Sequence, residues 1–251
     1  LTLIKSPVQS LQTDIKDENQ KSKLRLIDAN ADRMLELVDQ LLELSKIDSG
    51  NVKLILKEGN ISSFLASIIE SFAFQSKEKG IHFTANIQKT LENNLFDKDV
   101  IEKIVTNLVS NAFKYAPPNE AIAFTASVEN LHLKLVVSNT GTDVKKEDLP
   151  KLLERFYQKN EADPGVGIGL ALVKELVELY QGTFTTSLEN DELSFSVNLP
   201  LAMNHENAVV IASEPEMPII KNAIDPKTEL PVLLIVDDNA DMRQYLRRLL
   251  E

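Results

Sequence analysis

Three groups of residues in this 251-residue sequence have the types and spacing to do chemistry. Asn107, Asn111 and Lys114 stand four and three residues apart in NLVSNAFKY, so a helix would gather them on one flank. Two amide oxygens so placed can serve one hard cation such as Mg²⁺, and the lysine can neutralise a phosphate. The run LKLVVSNTGTD ends an apolar stretch with Asn139, two residues before Gly141. An amide there can hydrogen-bond a flat heterocycle, and glycine lets a ring approach the backbone. In GVGIGLALV, Gly165, Gly167 and Gly169 alternate at the start of an apolar helix. Glycine costs about 1 kcal/mol inside a helix, so either the loop bends there or something comes close to its backbone. No strand leads into these glycines and no Gly-Lys-Ser/Thr follows, which excludes the dinucleotide fingerprint and the P-loop. Open amides at a helix N-terminus remain, and they suit an anion. Each pattern taken alone also fits an ordinary polar edge or turn.

The elements that must position these groups are legible in outline. Ile101, Ile104, Val105, Leu108, Val109 and Ala112 form an apolar stripe on a helix that Asp97 caps and Pro117-Pro118 ends. Ahead of it, Asn60 caps a helix over 61–79 with Phe64, Ile68 and Phe72 on its apolar face, stopped by Gly80. IHFTANI alternates as a strand, and strands follow at 121–128, 131–138, 183–188 and 193–199. Residues 1–48 step by three and four (Leu1, Ile4, Val8, Leu11, Ile15; then Leu24, Ile27, Ala31, Met34, Val38, Leu41) and predict a helical hairpin turning at Asp17-Glu18-Asn19-Gln20. Its arms are unequal, which implies about a dozen further residues upstream. Leu37 and Leu44 widen the stripe toward a four-helix bundle of two chains. Helices segregated from antiparallel strands predict an α+β two-layer sandwich. Prolines at 215, 218 and 226 mark 204–230 as a linker, after which residues 231–251 restart as strand, acidic turn and helix.

Composition narrows the function. There is no cysteine, so disulfides and thiolate metal sites are excluded. A formal net charge of −11 argues against nucleic acid as the main partner. No apolar run approaches the ~18 residues of a membrane span, and the charged N-terminal region is no signal peptide.

In chain order, NLVSNAFKY, NTGTD, LLERFYQ and GVGIGLALV resemble the N, G1, F and G2 boxes of sensor histidine kinases, over about residues 97–200. The resemblance implies the Bergerat ATPase sandwich at 49–203, preceded by dimerisation and phosphotransfer helices at 1–48. LLIVDDN is similar to the first strand and acidic pocket of a response-regulator receiver, beginning at 231. That order implies a hybrid two-component kinase, a homodimer relaying phosphate to an in-chain receiver. This would be the cytoplasmic portion of an inner-membrane sensor whose membrane part lies upstream. ATP and Mg²⁺ are the implied cofactors. Asn111 would bind Mg²⁺ with help from Asn107, and Lys114 and Tyr115 would contact phosphate and ribose or ring. Residues 142–164 would be a mobile ATP lid anchored by Phe156. Gly165, Gly167 and Gly169 would hinge it and, with Leu170, border the phosphates; Gly141 and Asp143 would border the base. Asp237 and Asp238 would be Mg²⁺ ligands of the receiver fragment.

Four departures accompany the resemblance. The family's His-Glu-x-x-Thr-Pro stretch is missing, and the sequence starts just beyond where it would lie. Its histidines are His82, His132 and His205, so the fragment is expected not to autophosphorylate. Asn139 stands where the family has an aspartate that accepts from the adenine amino group. Asp143 stands where it has a second glycine, which would crowd the pocket and bring negative charge near ATP. The receiver fragment lacks a later strand with a phosphorylatable aspartate. Two alternatives stay open: an ATPase of the related gyrase and Hsp90 kind, and a non-enzymatic dimerising scaffold.

Overall fold

The computed structural model describes residues 7–8, 11, 15, 17–50, 52–89, 93–159, 166–201 and 208–210. Two compact units divide the chain; one spans Glu36–Ser213 and the other includes the residues up to Leu35. Residues 7, 8 and 11 are helical, and a long helix α1 runs over Glu18–Asp48. The turn expected at 17–20 is shorter than predicted. Of residues 17–20, Asp17 lies outside the helix and the other three within it, and the Asp17 carboxylate accepts from the Asn19 N–H at 2.9 Å.

Within Glu36–Ser213 the scaffold is a sheet with helices against it. Strands β2 (His82–Ile87), β4 (Ala121–Glu129), β5 (His132–Thr140), β6 (Thr183–Glu189) and β7 (Glu192–Pro200) form one five-stranded sheet. Its order is β2-β4-β5-β7-β6, with β2 parallel to β4 and the other pairs antiparallel. Alternate residues of β5, Leu133, Leu135 and Val137, are buried, as are Phe124 on β4 and Phe195 on β7. Helix α4 (Lys98–Tyr115) adds Ile101, Ile104, Val105 and Leu108 to the same core, and α5 (Gly169–Leu179) adds Leu172 and Leu176. Burying one such side chain stabilises by about 1.5–3 kcal/mol. An exposed ion pair contributes at most about 1 kcal/mol, so the apolar stripe fixes α4.

Asp97 is the joint that starts α4. It is buried; one carboxylate oxygen accepts from Val100 N–H at 3.2 Å and the other from Ile55 N–H at 2.7 Å. Its own N–H donates to the Tyr180 hydroxyl at 2.6 Å, and burial pushes that phenol well above its ordinary pKa. Cap, strand and the end of α5 thus meet on one residue.

The structure departs from the sequence reading in four places. The helix expected over 61–79 is two helices, α2 (Ile61–Glu70) and α3 (Phe72–Lys79). At the break, the Ser71 hydroxyl donates to the Ile68 carbonyl at 2.7 Å, where the Ser71 N–H also turns, a side-chain competitor for the helix ladder. A second sheet of three short strands was not foreseen, with β1 (Leu54–Gly59) between β3 (Asn94–Phe96) and β8 (Ala208–Val210). β8 lies inside the stretch read as linker, and its parallel pairing with β1 makes 208–210 part of the Glu36–Ser213 unit. Finally, Leu44 is buried in the core of this unit, with Leu37 packed against it, so these residues are covered without a second chain. Glu43 pairs with Lys103 at 2.5 Å on the same end of α1.

Candidate functional site

Asn107, Asn111 and Lys114 occupy one flank of α4 and are all half-buried, beside the fully buried stripe. The Asn107 Nδ2 donates to the Lys103 carbonyl at 2.7 Å, which fixes the amide and turns its oxygen outward. That oxygen faces the first turn of α5: a Cβ added to Gly169 would lie 2.8 Å from it. Asn107 on the flank of α4 and the start of α5 therefore adjoin. Lys114 Nζ sits 4.8 Å from the Tyr115 ring centroid, a cation–π contact that holds the ammonium at the helix end.

The cap position of α5 holds a residue with no acceptor on its side chain. Ile168 stands at the cap position and gives no side-chain hydrogen bond, and the first turn carries no acidic residue. Amides that no side chain satisfies, at the positive end of a helix, hold anions. Gly169 begins the helix and Leu170 follows half-buried. Gly167 adopts φ +71° and its carbonyl accepts from Phe156 N–H at 2.9 Å, which closes the base of the loop between them. A Cβ there would run into the Tyr157 carbonyl and lie 2.8 Å from the Phe156 carbonyl carbon. Two of the three glycines are thus required by close approach. Gly165 lies outside the described residues, as do Asp237 and Asp238.

Asn139 ends the buried run of β5 on the face of Leu135 and Val137, opposite Ile122 on β4 and Leu193 on β7. It is 2% exposed, and its Nδ2 has no hydrogen-bond partner among the described residues. A buried donor without an acceptor is costly, and a bound ligand at this end of β5 would relieve that cost. Gly141 takes φ +71°, and the Glu120 side chain packs where its Cβ would be, 2.5 Å away at Cγ. Thr140 Oγ1 donates to Glu120 at 2.6 Å. The sequence reading missed Glu120, since only the strand register brings it to the glycine.

Two expectations need correction. Asp143 does not add free charge to the site: its carboxylate is exposed and paired with Lys159 at 2.8 Å, and Lys159 also donates to its carbonyl. Phe156 does not anchor the loop. Its ring is 58% exposed and its backbone lies at φ +67°, while Val144, Leu149, Leu152 and Val166 pack against the core instead. Bulky residues rarely take that conformation. Neighbouring Arg155 was also missed. It grips Asp48 through two hydrogen bonds at 2.7 and 2.8 Å and reaches Glu175 at 2.9 Å. Arg155 holds the Asp48 carboxyl below the usual carboxylate range.

Helices over a mixed sheet, with an amide flank facing the start of a helix, form a two-layer α/β sandwich. Residues 96–203 match the histidine kinase-, DNA gyrase B- and HSP90-like ATPase family, and residues 1–50 match the His Kinase A (phospho-acceptor) domain. A histidine kinase of Formosa agariphila is 29% identical across all of this chain and 20% of its own length. The sensor histidine kinase TmoS of Ectopseudomonas mendocina is 30% identical over 90% of this chain and 26% of its own. The crystal structure of full-length ShkA in complex with AMPPNP superposes with a TM-score of 0.68 at 23% identity, over 80% of this chain and 42% of that one. The chain belongs to the sensor histidine kinases. It spans about a quarter or less of the two curated relatives.

Proposed function

We propose that this chain is the ATP-dependent core of a hybrid sensor histidine kinase, binding Mg-ATP for transfer of the γ-phosphoryl group to a histidine and relay to a receiver aspartate. One observation carries the reading: the fixed Asn107 oxygen faces the uncapped first turn of α5, with Asn139 buried at the end of β5 and its Nδ2 without a partner among the described residues. The residues suit an adenine nucleotide, the class that AMPPNP represents in ShkA. Asn139 would meet the base, Lys114 and Tyr115 the ribose or phosphates, and the amides of Gly169 and Leu170 the phosphate chain. Mg²⁺, when bound, supplies neutralisation of phosphate charge, and Asn107 and Asn111 offer it amide oxygens. An amide at Asn107 is no general base for water, which favours transfer over hydrolysis. The receiver reading rests on LLIVDDN with Asp237 and Asp238, the domain boundaries on the sequence breaks near 48, 203 and 231. A cytoplasmic location follows from the kinase reading; among the described residues no helix is long and apolar enough to cross a membrane.

The matched residues 1–50 contain no histidine. Calorimetry with ADP and Mg²⁺ should show one weak site per chain, whereas incubation with radiolabelled ATP should leave the chain unlabelled. Absence of nucleotide binding would favour the scaffold alternative, and steady phosphate release the ATPase one.

Homodimerisation belongs to the same reading. Leu26, Ile27, Met34, Val38, Leu41 and Leu42 on α1 are exposed, an apolar surface of the kind that helices bury against a second copy. Sedimentation should show a concentration-dependent dimer. A strict monomer at high concentration would remove this part of the proposal.

A further inference from the structure

We propose that Asn139 opens the base site to 6-oxopurine nucleotides as well as to adenine. The inference rests on the nucleotide-site reading above and concerns which base that site takes. Asn139 is buried, and its cross-strand neighbours Ile122 and Leu193 are apolar and also buried. Neither can satisfy its amide. The adjacent Thr140 lies on the opposite face of β5 and is engaged with Glu120 and Ala121. The Nδ2 hydrogens therefore have no acceptor among the described residues. Buried polar groups are nearly always paired, with protein or ordered water, and a base bound here would supply the acceptor.

The chemistry of the two amide ends decides which bases suffice. Adenine shows an amino donor beside the N1 acceptor. A 6-oxopurine shows the reverse, a carbonyl acceptor beside an N1–H donor. A carboxylate only accepts, so it serves the adenine amino group and repels a carbonyl oxygen. Asn139 has both a donor and an acceptor on one planar group. In one orientation the amide accepts from the adenine amino group and donates to N1. Turned over about its last torsion, it donates to the 6-carbonyl and accepts from N1–H. A site built around a hydrogen-bonding group rejects a ligand that leaves that group unpaired, and here neither base does.

Inosine diphosphate is the plainest probe, because it carries the 6-oxo group without the 2-amino group of guanine. Calorimetric titration of the full chain with ADP and with inosine diphosphate, both with Mg²⁺, should give dissociation constants within tenfold of each other. Asn139→Asp should then shift the ratio at least tenfold toward ADP. An ADP preference above tenfold in the parent chain overturns the proposal, and so does an unchanged ratio in a folded Asn139→Asp chain. Should that variant fail to fold, the parent ratio alone decides. If neither nucleotide binds, the nucleotide-site reading itself fails, an outcome distinct from binding ADP alone.

Discussion

Asp97→Ala is expected to destabilise the Glu36–Ser213 unit by about 3 kcal/mol, the largest stability loss expected of any single polar truncation in it. Loss of a helix cap costs about 1 kcal/mol. The same carboxylate also holds Ile55 N–H on β1, and a buried amide left without an acceptor costs a further 1–3 kcal/mol or so. Both donors are orphaned together, because alanine offers neither an oxygen. Tyr180→Phe tests the other arm of the junction, since it leaves the Asp97 N–H unpaired at a cost of about 1–3 kcal/mol. Urea unfolding followed by circular dichroism measures both, read as a lower midpoint at constant slope. Because Asp97 starts the helix that carries Asn107, Asn111 and Lys114, nucleotide affinity should fall only where the fold does. A loss below about 1 kcal/mol for Asp97→Ala would mean that the three-way junction does not hold the helix layer to β1.

Asp97 also shows where sequence reasoning stops. Its role as a cap was legible, because a cap and the stripe it starts are neighbours in the chain. Its bonds to Ile55 and Tyr180 were not, since they join residues 42 and 83 positions apart. The same division runs through the site. Asn107, Asn111 and Lys114 were placed on one flank by helical period alone. Arg155 and Lys159 were invisible as partners of Asp48 and Asp143, 107 and 16 residues away. The three-residue strands β3 and β8 are too short to show an alternation, so the partners of β1 in the second sheet had no sequence signal. Leu44 was read as a bundle residue because period shows which face of a helix is apolar, never what covers it. Phe156 was placed by resemblance, and its left-handed backbone has no signature in a Phe-Tyr pair.

The alternate glycines yield the largest functional effect. Gly167→Ala should weaken ADP binding at least tenfold. Gly167 is in the left-handed region, where any L-residue costs about 1–2 kcal/mol, and its added Cβ would meet backbone atoms of Phe156 and Tyr157. Backbone cannot rotate away as a side chain can, so the loop base closed by Phe156 N–H and the Gly167 carbonyl must open. That displacement moves the chain immediately before α5, and with it the amides proposed to hold phosphate. Gly80→Ala separates the two effects. Gly80 has φ +63° and open space around its Cβ position, so it should show the conformational cost without loss of affinity. Gly169→Ala is intermediate: its Cβ meets only the Asn107 oxygen, and alanine favours the helix by about 1 kcal/mol. That variant should keep stability and lose affinity through the displaced amide. Thermal unfolding and ADP calorimetry on the three variants give the comparison. If Gly167→Ala binds ADP like the parent while losing no more stability than Gly80→Ala, the glycine serves only to turn the chain, and the phosphates lie elsewhere.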